Sequence, residues 1–173
     1  APLVLVRELC ELFFFATMVV AYASRGPRKG SRRGWLVALV AFAATFALVG
    51  ATMRPYRALT AADWIGTALV AAGFLWSFVA LVYARRSFSI LPDARELVTG
   101  GPYALCRHPI YLGQTVAMAG ALLPISPLWL LGVVPFAAAQ VLRARWEEAL
   151  LGSELPEWSA YASRVPRYLP FLR

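Results

Sequence analysis

Three long stretches of this 173-residue chain carry no ionisable residue, and that absence limits the fold more than any motif does. No charge occurs over residues 34–53, a run of 20, or over 64–84, a run of 21. About 20 apolar residues suffice to cross roughly 30 Å of hydrocarbon as a helix. A third run, 109–142, holds 34 uncharged residues, too many for one crossing. Pro124 and Pro127 interrupt it, and prolines three apart read as a turn. The run predicts a hairpin of two helices of about 15 residues each, both ends on one side. A weaker first segment covers residues 3–23, with Arg7, Glu8 and Glu11 near its start. Arg7 and Glu11 stand at i,i+4 and can pair; an interfacial ion pair and a polar cavity lining both fit.

Composition agrees. Apolar residues make up 60%, mean hydropathy is +0.63 and only 15% are charged, against about 25% in a soluble domain. This excludes a disordered tail, a disulfide scaffold and most soluble folds. The net charge of +8 would suggest nucleic acid in a soluble protein, but here the basic residues cluster between apolar runs. Five Lys/Arg lie in residues 25–33, four in 85–107 and five from Arg143 onward; only Arg7, Arg54 and Arg57 fall on the other side. That split puts the first and third loops and the C-terminus in the cytoplasm and the N-terminus outside, in a cytoplasmic (inner) membrane. No small-residue cleavage site precedes Arg25, so a cleaved signal peptide is not expected. Cys10 and Cys106 match no CxxC or zinc spacing, and one histidine allows no His-rich metal site.

Chemistry concentrates in two pieces flanking the hairpin, residues 99–113 and 143–170. In the first, Pro109 suits the first helical position. The amides at that end, with Arg107 and His108, can form an anion site or be an ordinary interface. Gly100 and Gly101 allow positive φ or close approach. In the second, Arg143 and Glu147 share a helix face, Arg145 precedes Glu148 by three, and Glu147 and Glu148 point about 100° apart. A solvated, ion-paired helix end is one reading. Basic and acidic poles for S-adenosylmethionine are another, and a nicotinamide dinucleotide is compatible too.

Residues 101–113, Gly-Pro-Tyr-Ala-Leu-Cys-Arg-His-Pro-Ile-Tyr-Leu-Gly, resemble the GPY-x(3)-RHP-x-Y-x-G signature of the isoprenylcysteine carboxyl methyltransferase family. Arg143-x(3)-Glu-Glu-x(2)-Leu150 and the ending Tyr161…Arg164-Val-Pro-Arg-Tyr-Leu-Pro170 are similar to it as well. The resemblance covers residues 97–170. It implies an integral membrane enzyme using S-adenosylmethionine, related to phospholipid N-methyltransferases and small-thiol methyltransferases, with lipophilic substrate entering from the bilayer. By resemblance, Tyr103, Arg107, His108, Tyr111, Gly113 and Glu148 belong to the cofactor pocket. Gly101 and Pro102 shape its wall, and Tyr161, Arg167 and Tyr168 close it. Glu147 and Glu148 would bind the cofactor or orient the acceptor, and Arg143 would hold an anionic acceptor, with Glu147 fixing its guanidinium. Trp146 and Trp158 read as interface anchors, and nothing makes Cys106 a nucleophile.

The expectation is an all-α integral membrane protein of about five transmembrane helices. Helices 4 and 5 form a Pro-turn hairpin, and a cytoplasmic helical tail follows. Residues 1–173 read as one methyltransferase domain, with N-terminal membrane helices (1–84) and a cofactor-binding half (85–173). Its reaction is methyl transfer to a lipophilic or lipidated acceptor, foremost a carboxylate such as that of a prenylated cysteine. A phospholipid amine, a small thiol, an NADPH-dependent sterol-type reductase and a non-enzymatic scaffold are the rivals. Membrane lipids are expected partners, with no nucleic acid, no metal and no obligate protein partner. The topology is directly measurable. In a cysteine-free background, Lys29→Cys should be labelled by an impermeant maleimide only from the cytoplasmic side and Arg57→Cys only from outside. The reverse pattern would refute the orientation.

Overall fold

A computed structural model describes residues 2–24, 30–31, 34–52, 60–91 and 93–168. The basic residues 25, 28, 29, 32 and 33, together with Arg54 and Arg57, carry the orientation argument and lie outside the described residues, as does Pro170. Helices dominate: α1 (Pro2–Ala23), α2 (Trp35–Thr52), α3 (Ala61–Ala84), α4 (Pro109–Leu122), α5 (Val133–Glu154) and α6 (Trp158–Arg164). Among the described residues the one departure from the all-α expectation is a two-residue antiparallel pair, β1 (Gly30–Ser31) with β2 (Asp93–Ala94), in register Gly30↔Ala94 and Ser31↔Asp93.

Among the described residues two helical stretches, Ala61–Ala84 and Leu128–Glu154, are long and apolar enough to cross a membrane, and Trp35–Ala51 is a shorter apolar helix. The outward faces of α1 and α2 carry exposed Leu12, Val19, Val20, Leu39 and Phe46, an apolar exterior suited to lipid rather than water. Near the start of α1, Arg7 Nε donates to Glu11 Oε1 at 2.7 Å, as the i,i+4 spacing predicts.

Local signals set the ends of the elements. Thr60 caps α3: its Oγ1 accepts from Asp63 N while the Asp63 carboxylate accepts from Thr60 N, a reciprocal capping box. Helix α4 starts with Pro109 at its first position and stops before Pro124. A short stretch of 3₁₀ helix over Pro127–Gly132, capped by the Ser126 hydroxyl, leads into α5. The hairpin is therefore unequal. Helix α4 has 14 residues and is about 21 Å long, whereas α5 has 22 and runs on through the charged residues to Glu154.

The closest packing joins α3 to α4 rather than α4 to α5. A Cβ on Gly66 would lie 2.6 Å from the Gly120 carbonyl, and one on Gly73 2.5 Å from the Gly113 carbonyl. Ala117 fits between these crossings, and the Ser77 hydroxyl donates to the Ile110 carbonyl at 3.3 Å. Small residues let the two backbones touch, which is how apolar helices associate where lipid supplies no hydrophobic force. Helix α1 covers α3 through Phe14, Phe15 and Phe74, whose rings lie 5.2–5.6 Å apart. Thus α3 holds α4 in place, and the start of α4 carries the motif. Gly73→Leu should overpack the seam by roughly 1–3 kcal/mol and lower the thermal midpoint in detergent. Gly50→Leu should change it little, because a Cβ at that position would meet nothing within 4 Å.

Candidate active site

The segment from Gly101 to the first turn of α4 is shaped by its backbone. Gly101 has φ +58°, and a Cβ there would meet the Tyr83 ring at 2.5 Å. Only glycine satisfies both constraints. Gly101–Ala104 forms a short 3₁₀ turn that buries Pro102. Cys106 is buried, and burial pushes its thiol up to about 11, so it stays protonated and inert.

The two adjacent glutamates of α5 divide their labour. Glu148 turns into the protein, with its side chain 9% exposed, and meets three basic side chains. Arg107 Nη1 donates to its Oε1 at 3.0 Å, His108 Nε2 to the same oxygen at 3.0 Å, and Arg167 Nε to both oxygens at 3.0 and 3.1 Å. An ionised carboxylate only accepts, so the His108 nitrogen is the donor. The hydrogen bonds that Arg167 donates to Glu148 raise the Arg167 pKa. Glu147 turns the other way, with its side chain 33% exposed, onto the wall of a cavity. Tyr111 donates its hydroxyl to Glu147 Oε2 at 3.0 Å, and His108 Nδ1 lies 3.8 Å from the same oxygen.

The tail closes this arrangement. Arg107 N donates to the Pro166 carbonyl and His108 N to the Arg167 carbonyl, while Arg107 Nε donates to the Val165 carbonyl. Two amides expected at an open anion site before α4 are therefore occupied by tail carbonyls, because a neighbouring strand-like segment satisfies them. The Tyr161 hydroxyl donates to the Tyr103 carbonyl at 2.8 Å. Burial raises the pKa of Tyr161, and it pushes Tyr168 up to about 12.

The cavity beneath is lined by Tyr103, Arg107, His108, Tyr111, Glu147 and Tyr161 from the sequence-derived set. Other members of that set stand elsewhere. Glu148 and Arg167 form the clamp behind the wall. Gly113 lies in the seam against Gly73 and the Ser77 hydroxyl. Arg143 is buried behind Tyr111, its guanidinium 4.8 Å from the ring centre. Its Nη1 donates to Gln140 and its Nη2 to the Ile90 carbonyl. Among the described residues Glu147 does not pair with it: at i,i+4 they share a face, but Tyr111 takes the carboxylate. The anchor reading of Trp158 also changes, since Trp158 is buried with Leu155 and Tyr161 and lines the cavity.

Sequence reasoning missed the strap between α3 and the motif. Ser89, Asp93 and Arg95 line the cavity, with Asp93 accepting from Ser89 Oγ at 3.2 Å and Arg95 Nη2 at 3.1 Å. The density of charge in residues 93–96 was the available signal.

This architecture has relatives. The profile of the family described as phospholipid methyltransferase matches residues 61–155, from the start of α3 to the end of α5. The chain belongs to the phospholipid methyltransferase family. That is broader than the isoprenylcysteine group its motif resembles. Two curated relatives are similar. Nickel-cobalt-cadmium resistance protein NccN of Alcaligenes xylosoxydans xylosoxydans is 35% identical over 114 residues, 63% of this chain and 53% of that protein. Cobalt-zinc-cadmium resistance protein CzcN of Cupriavidus metallidurans is 34% identical over 110 residues, 62% and 47% respectively. The chain spans about half the length of the curated relatives it matches.

The two glutamates should separate experimentally. Glu148→Gln leaves clustered basic groups unbalanced. Breaking a buried pair of this kind costs about 3–5 kcal/mol, so the apo protein should melt lower and trypsin should cut sooner after Arg167. Glu147→Gln should leave both readouts near wild type. Equal behaviour of the two variants would refute the division.

Proposed function

We propose that the protein transfers the methyl group of S-adenosylmethionine to a lipophilic acceptor at the cytoplasmic surface of the inner membrane. Membership of the phospholipid methyltransferase family supports membrane methyl transfer. The observation that carries the cofactor reading is the cavity bounded by Glu147 where the charge-free part of α5 ends. Its walls suit a zwitterionic sulfonium nucleoside: Asp93 and Glu147 are acidic, Arg95 and Arg107 basic, and Leu97, Leu151 and Trp158 offer an apolar, aromatic face. Arg95 Nε is buried without a hydrogen-bond partner, as expected of a group that meets a ligand.

S-adenosylmethionine supplies an electrophilic methyl group on a sulfonium. The chain supplies position and field. Glu147 places a carboxylate at the cavity wall, and Tyr103 presents an aromatic ring suited to a cation. The clamp around Glu148 keeps the tail seated. Arg143 is a buried guanidinium whose hydrogen bonds go to neutral groups, Gln140 and the Ile90 carbonyl. It still seeks an anion. We therefore favour an acidic acceptor, such as the carboxylate of a prenylated cysteine or an analogue. A carboxylate needs no base. A phospholipid amine is the second reading, favoured by the family; it must lose a proton, and Glu147 would accept it.

The five-crossing topology, N-terminus outside and C-terminus in the cytoplasm, belongs to this proposal. So does the link to metal resistance in the relatives' names. Among the described residues no group of three or more His, Cys, Asp or Glu could hold a metal ion. The proposed contribution to resistance is modification of a membrane component.

Calorimetry on detergent-purified protein tests the core of this reading. S-adenosylmethionine should bind wild type, and Glu147→Gln should weaken it about tenfold, or 1.4 kcal/mol. NADPH should give no heat; binding of NADPH alone would replace the reading with a reductase. Arg143→Gln should keep cofactor binding and lose transfer of labelled methyl to acidic acceptors. Retained transfer to acidic acceptors would refute that role of Arg143, and wild-type transfer to a phospholipid amine but to no acid would establish the second reading.

A further inference from the structure

A second depression lies on the lipid side of the helix end whose other side borders the cavity. It runs between the last turns of α1 and α3. Thr17, Val20 and Ala21 form one wall, and Leu81 and Val82 the other. Val20 and Val82 are exposed, while Ala21 and Leu81 are buried beneath them. Arg85 closes its polar end. The neighbouring Ala84, Ser87 and Phe88 line the candidate active cavity instead.

Arg85 is unusual twice over. It ends α3 with φ +43°, and it is the only non-glycine residue at positive φ among the described residues. A bulky side chain there costs about 1–2 kcal/mol that glycine avoids. Its side chain is exposed, and its hydrogen bond is from Nε to the Val82 carbonyl one turn back. No carboxylate pairs with it among the described residues. The result is an apolar trough ending in an unneutralised guanidinium, at the end of a helix long and apolar enough to cross a membrane. Strain kept at a non-glycine residue persists where the side chain has work to do.

We infer that this trough is a binding site for one anionic phospholipid, separate from the methyl-transfer cavity. An acyl chain lies between α1 and α3, and the headgroup phosphate is held by Arg85. The complementarity is direct: a hydrocarbon chain for the valine and leucine walls, and a phosphate oxygen pair for the forked guanidinium.

Native mass spectrometry and thermal melts in detergent, titrated with phosphatidylglycerol and separately with phosphatidylcholine, test it. Wild type should retain one phosphatidylglycerol and be stabilised by it at least fivefold more effectively than by phosphatidylcholine. Arg85→Gly removes the headgroup contact and relieves the backbone, so its lipid-free midpoint should match or exceed wild type while the preference disappears. Val20→Trp, which fills the trough from the other side, should also abolish retention. Equal response to both lipids, or a preference that survives Arg85→Gly, would overturn the inference.

Discussion

One buried carboxylate holds the candidate site together. Glu148 receives hydrogen bonds from Arg107 and His108 before α4 and from Arg167 after α6. A carboxylate taken out of water is costly unless charge and hydrogen bonds replace the lost hydration. Here both oxygens are occupied, so the cost is met only when three separate segments converge. Remove the carboxylate and nothing else in the cluster is acidic enough to keep the two guanidiniums together. The same geometry explains why the neighbouring glutamate is available. With Glu148 fixed inward, the helical rotation of about 100° sends Glu147 to the cavity.

Behind that cluster stands a polar relay uncommon for so apolar a chain. Gln114 accepts from Gln140, Gln140 accepts from Arg143, and Arg143 lies over Tyr111. Tyr111 then donates to Glu147 and stacks on His108 at 5.4 Å between ring centres. The relay extends from the buried middle of the hairpin to the charged surface. Each member limits the orientation of the next, so the cavity wall is stiff although part of it, residues 95–98 and 107–108, is loop. The glycine seam sets the starting point. Only with α3 and α4 in backbone contact does the entry to α4 come to rest beside Tyr83 and the end of α3.

Much of this was readable from the chain. Charge-free runs located α2, α3 and the hairpin, and the prolines placed the break within it. Pro109 marked the first residue of α4, and the i,i+4 rule found the Arg7–Glu11 pair. The GPY and RHP residues came to the cavity or its immediate support. Other features escaped for physical reasons. The seam depends on Gly66 and Gly73 meeting Gly113 and Gly120, a spacing of seven on both helices that says nothing until the partner is known. Gly113 therefore read as part of the ligand site. The resemblance, together with the shared helix face, paired Glu147 with Arg143, whereas Tyr111, 36 residues away in sequence, donates its hydroxyl to the Glu147 carboxylate. Trp158 read as an interfacial anchor because aromatic residues near membranes commonly are. Its burial follows from the turn at Leu155, which folds α6 back over the strap.

The carbonyls of Pro166 and Arg167 satisfy amides nearly 60 residues earlier in the chain. That separation has a consequence for biosynthesis. The helices can enter the bilayer as they leave the ribosome, one hairpin at a time, but the pocket they frame stays open until the segment after α6 has been translated. Insertion and site assembly are therefore separate events in time. A nascent chain halted within α6 would already be a membrane protein and not yet a site.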